Sequence, residues 1–86
     1  MPITRDNMAH QYAERILGRL PRALQGSREA VPMSKYALEQ ESGVSRDRLG
    51  ELEAGEGCEN PTLHLLARVA HGLKMKLWEF VKMMDE

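Results

Sequence analysis

The side chains able to do chemistry cluster in one short stretch, as Ser34, Lys35, Ser45, Arg46, Asp47, Arg48 and Glu51. Hydroxyls, an ammonium, two guanidinium forks and two carboxylates supply hydrogen bonds and charge, the chemistry of gripping a partner. Bond making is another matter. No nucleophile, base and stabiliser stand at a recognisable spacing, so the sequence predicts no enzyme. Cys58 is the single cysteine, which excludes an internal disulfide, and His10, His64 and His71 fit no zinc spacing. No metal and no cofactor is expected. Cys58 reads as a loop residue, and His64 and His71, which share one helical face, as ordinary solvent-facing side chains.

Two short helices are needed to hold the seven residues. In the stretch from Met33 to Gly55, MSKYALEQESGVSRDRLGELEAG, Ser34 can cap a first helix with Ala37 and Leu38 inward. Ser42 and Gly43 stop it, since glycine tolerates the left-handed backbone of a sharp turn. Val44 plugs the turn from its apolar side. Ser45 then caps a second helix whose Leu49 and Leu52 share a buried face with Val44, and Gly55 ends it. That periodicity turns Ser45, Arg46, Asp47, Gly50 and Glu51 outward, with Arg48 at the margin. The layout over residues 34 to 55 is that of a helix-turn-helix.

At these residues the chain resembles the lambda-repressor-like helix-turn-helix family, also called the Cro or XRE type, over about Leu20 to Val81. The carriers are Met33, Ser34, Leu38, Gly43, Val44 and Ser45, then Leu49, Leu52, Glu53 and Gly55, then Asn60, Pro61 and Thr62, and finally Leu66, Ala70 and Leu73. The segment from Arg28 to Ser34 is similar to the family's approach to its first motif helix, with Pro32 and Lys74 at places where the family often has glycine. Lys35 stands where it often has glutamine, and Glu39 replaces a small alanine. The loop after Gly55 carries Glu56 and Glu59 where relatives often have basic residues.

The rest of the chain fits one all-helical domain. Its 86 residues allow only a small core, so oligomerisation is expected. Helix formers dominate and alternating strand patterns are nearly absent. No apolar run approaches the roughly 20 residues that span a bilayer, and no signal-peptide pattern opens the chain, so the expectation is a soluble cytoplasmic protein without a membrane partner. Residues 1 to 5 offer nothing to bury and are expected to be disordered. Asp6 or Asn7 can cap a helix with Met8, Tyr12 and Ile16 in its apolar stripe, which either packs on the domain's own core or serves a dimer. Residues 1 to 19 are thus an N-terminal helical extension and 20 to 86 the helix-turn-helix domain, five or six helices in all. Gly18 and Pro21 mark a break or a kink, with a second helix from Pro21 to about Ala30. Thr62 caps a helix with Leu63, Leu66, Ala67, Val69, Ala70 and Leu73 inward. A last helix from about Leu77 contributes Phe80, Val81 and Met84, with Trp78 at its edge.

The resemblance implies a sequence-specific transcriptional regulator that binds double-stranded DNA as a homodimer on a near-palindromic operator. Its second motif helix, Ser45 to Glu53, enters the major groove, and Ser45, Arg46, Asp47, Arg48 and Glu51 are the candidates at base edges. Arg46 leads them, as an arginine can pair with guanine and a carboxylate with cytosine. Ser34 and Lys35 are set for a phosphate. The resemblance also implies that Glu53 pairs with Arg28, the alternative being two solvated side chains.

Charge pulls the other way. Five arginines among residues 1 to 28 face Asp6 and Glu14, while the remainder has seven basic and eleven acidic residues, for a net charge of -1 over the chain. From Lys35 to Gly57 three basic residues face six acidic ones, whereas phosphate neutralisation asks for a basic footprint. The rival expectation is therefore an interaction module, or an antitoxin-like protein, that binds a protein partner through the N-terminal helix and the acidic groove.

Overall fold

The computed structural model describes residues 4 to 86, all-α, with six helices and no strand among them. Residues 1 to 3 lie outside the described residues. The helix cap falls on Thr4 rather than on Asp6 or Asn7: its hydroxyl accepts the Asn7 N–H at 3.2 Å, so α1 runs Arg5–Leu17. Thr4 and Arg5, within the stretch expected to lie outside any element, are thereby the cap and first residue of α1. Asp6 instead takes a first-turn position, where a carboxylate faces the positive end of the helix dipole.

Gly18 and Arg19 keep nearly helical dihedrals, but Pro21 has no N–H to give the carbonyl of Leu17, and the ladder restarts as α2, Leu20–Ala30. This helix buries Leu20, Ala23, Leu24 and Ser27, one stripe of a 3.6-residue repeat. Ser34 caps α3, Lys35–Ser42, by accepting the Ala37 N–H at 3.0 Å. Gly43 stops it in the left-handed region at φ 75°, and the buried Ser42 hydroxyl accepts the Val44 N–H at 3.1 Å. Val44 is buried as the plug of the turn. Ser45 caps α4, Arg46–Glu53, through the Arg48 N–H at 3.1 Å, and Leu49 and Leu52 are its buried residues. Thr62 opens α5, Leu63–Gly72, and α6 follows as Leu77–Asp85, its first turn tied by the Glu79 carboxylate accepting the Lys76 N–H at 2.9 Å. Lys74 between them sits at φ 61°, the conformation for which the resemblance supplied a glycine.

The core gathers Leu24, Leu38, Leu49 and Phe80, with Leu20, Leu52, Val69, Leu73 and Met84 closing around them. One expectation is corrected here. On α5, Leu63 is 68% exposed and Ala67 is exposed, while Leu65 and Gly72 turn inward. Gly72 is the reason: a Cβ there would fall 2.7 Å from Leu38 Cδ1 and 2.8 Å from Ser42 Cβ. Its bare backbone lets α5 rotate that side against α3, carrying Leu63 and Ala67 outward. Cys58 lies in the loop between α4 and α5, as expected, and is buried there against the core with its thiol 3.6 Å from the Leu52 carbonyl oxygen.

α1 packs least. None of its residues is buried, and only Ile16 and Leu17 in the last turn rest half-buried on the core. Met8 and Tyr12 stay exposed. The Tyr12 hydroxyl donates to Asp85 Oδ2 at 2.9 Å, and Arg19 Nη1 donates to the Met84 carbonyl at 3.3 Å, so α1 leans on the end of α6. The molecule is drawn out to 47 × 23 × 20 Å. Among the described residues no helix is long and apolar enough to cross a membrane.

Candidate nucleic-acid interface

Two serine caps point the starts of α3 and α4 toward solvent, and the candidate residues ring them. Ser34, Lys35, Ser45, Arg46, Asp47 and Glu51 are exposed, and Arg48 is half-buried. Each cap hydroxyl uses an oxygen lone pair on its own helix and keeps its hydrogen to donate. Lys35 has no ion-pair partner among the described residues and stands in the first turn of α3.

The arginines are held by the protein itself. Arg46 Nε lies 3.0 Å from Glu39 Oε1, and its guanidinium sits 5.0 Å from the centre of the Tyr36 ring. Arg48 reaches Glu51 Oε2 at 3.6 Å and donates from Nη2 to the Gly57 carbonyl at 3.4 Å. Gly57 adopts φ 67°, and a Cβ on it would displace the Arg48 guanidinium from this position. Gly50 meets nothing within 4 Å of an added Cβ, which leaves the outer backbone of α4 bare for a close approach.

Behind this surface Arg28 fastens α2 to α4. Its Nε donates to Glu53 Oε2 at 2.8 Å and its Nη2 to Oε1 at 3.0 Å, a two-pronged pair whose side chains are 16% and 8% exposed. Nη1 donates to the Met33 carbonyl at 3.0 Å. The guanidinium is pushed further toward its charged form, chiefly by the hydrogen bond to Glu53. One side chain thereby fixes the end of α4 and the approach to α3 together.

The acids divide into two sets. Glu39, Glu51 and Glu53 have arginine partners, so half of the acidic charge between Lys35 and Gly57 is answered within the fold. Glu41, Asp47 and Glu56 have none among the described residues. Two participants were missed from sequence. Tyr36 is exposed yet carries Arg46 on its face; an aromatic at an outward position of a short polar helix was the available signal. Arg68 of α5 lays its guanidinium against Gly43, where a Cβ would stand 2.8 Å from Nη1; nothing in the sequence pairs those positions. His10, His64 and His71 do not converge, and no three His, Cys, Asp or Glu side chains among the described residues could hold a metal together.

Compared with family models, curated proteins and solved structures, the chain matches none.

Proposed function

We propose that the chain is a sequence-specific regulator of transcription of the lambda-repressor-like kind, binding double-stranded DNA with α3 and α4 as its helix-turn-helix. The observation that carries this reading is the α3–α4 unit itself. A left-handed glycine, a buried valine plug and two serine caps present one exposed hydrogen-bonding helix face, fastened from behind by Arg28 and Glu53. In this reading Ser34 and Lys35 meet phosphate, where helix N-termini favour anions. Ser45, Arg46, Asp47, Arg48 and Glu51 lie along the base edges of the major groove. A homodimer sets two such helices roughly 34 Å apart on a near-palindromic operator. Such a protein works in the cytoplasm and needs neither metal nor cofactor.

Selection of genomic fragments by the purified protein, followed by a salt titration on the winning site, tests the proposal. The expected result is a defined site whose affinity falls steeply with salt. Enrichment of no sequence, together with binding indifferent to salt, would overturn it.

One observation favours a second reading, an interaction module or antitoxin-like protein. The arginines of α4 are matched by Glu39 and Glu51, which leaves Asp47, Glu41 and Glu56 against Lys35 alone as the unpaired charges between Lys35 and Gly57 among the described residues, and α1 leaves Met8 and Tyr12 exposed. A protein partner captured through α1, with no DNA selected, would decide for that reading.

A further inference from the structure

Arg46 is the first residue of α4, yet its orientation is set from α3. Glu39 Oε1 forms an ion pair with it, 3.0 Å from Nε, and its Cζ lies over the Tyr36 ring at 5.0 Å from the ring centre. Glu39 is 27% exposed and Arg46 59% exposed by side chain, so the shielded partner is the acid and the arginine head remains at the surface. With the Glu39 carboxylate beside Nε, the side-on edge of the guanidinium faces the acid and the two terminal nitrogens are left to donate. A guanine in the major groove offers O6 and N7 as a matching pair of acceptors.

We propose that Glu39 and Tyr36 are positioning residues that hold Arg46 ready to read guanine end-on, and that Glu39 makes this arginine a reader of bases rather than of phosphate. The inference rests on the DNA-binding reading and deepens it. A long arginine left free would sample many rotamers and lose them on binding; a stacked and paired one has already lost them. The same carboxylate offsets the arginine's charge, so Arg46 adds little to binding of random DNA, which depends on neutralising phosphates. The acid that looked like a defect in a DNA-binding face becomes a source of discrimination.

The sign of one substitution separates this from simple masking. Removing a negative charge by Glu39→Ala should tighten binding to random DNA, yet it should lower the ratio of selected-site to random affinity by about tenfold. Tyr36→Ala should lower the ratio too, and Tyr36→Phe, which keeps the ring, should preserve it. Arg46→Ala should abolish the preference for guanine at one position and leave the salt dependence unchanged. A ratio that rises or stays constant in both Glu39→Ala and Tyr36→Ala would overturn the inference, showing that the two residues sequester Arg46. NMR of the free protein gives a second, DNA-independent reading. The heteronuclear NOE at Arg46 Nε should report a restricted side chain in the native chain and a mobile one in Glu39→Ala. Equal mobility in the two would refute the positioning even if a DNA site is found, whereas a restricted arginine without any selected site would refute the DNA reading and with it the purpose assigned here.

Discussion

Single side chains carry much of the order in this molecule. Arg28 and Glu53 are a two-pronged pair with little exposure, so losing one partner strands the other in a poorly solvated place. Arg28→Met alone should destabilise the fold by about 3 kcal/mol, and Arg28→Met with Glu53→Leu by much less. Urea titration of the two single variants and the double variant gives the coupling energy, and a value near zero would show the pair to be idle. Cys58 makes a quieter statement. Burial first, then the nearby Glu59, pushes its thiol above the usual range. The native state therefore holds that proton at pH values where the unfolded chain has released it. The resulting contribution is fully present below about pH 8.5 and is lost as pH rises beyond. Thiol labelling at neutral pH should be slow in the folded protein and fast in urea; equally fast labelling would mean the cysteine is open to solvent.

Helices are where the sequence was most and least informative. The α3–α4 unit was legible because each of its boundaries is a local event. Ser34, Gly43, Ser45 and Gly55 act on backbone groups within four residues of themselves, and a linear pattern records such rules. On α5 the pattern placed Leu66, Val69, Ala70 and Leu73 inward correctly but not the edge of that face, since Gly72 has no side chain to enter a hydrophobic pattern. Its role exists only against Leu38 and Ser42 of another helix. The restraint on Arg46 was hidden for a related reason: Tyr36 and Glu39 each stand out on α3, but their joint hold on Arg46 exists only once α4 is laid across it. Gly72→Ala tests the packing account. The added methyl group must push α5 from α3, at a cost of about 1 to 3 kcal/mol despite the better helix propensity of alanine. A thermal melt at or above the native midpoint would mean the interface gives way freely.

For the molecule as a whole the open question is what covers α1. Its exposed Met8 and Tyr12 are joined through the Tyr12–Asp85 hydrogen bond to α6, which itself leaves Trp78 and Met83 exposed. The apolar stripe of α1 and the exposed face of α6 thus belong to helices that touch. A homodimer built there should be seen by sedimentation at tens of micromolar, roughly the weak end of specific association. Tyr12→Glu should return it to monomer without unfolding it, because that side chain is about half exposed. A native protein that sediments only as monomer would rule this seam out.

Trp78 is the chain's one tryptophan and is 62% exposed in the single protomer. Because its indole is already largely in water, melting a lone protomer should change its fluorescence little, leaving circular dichroism to follow the loss of helix. Covering α6 should instead shift the emission to shorter wavelength. The protein therefore carries its own optical gauge of association, one that is nearly blind to folding and responds when a second surface arrives.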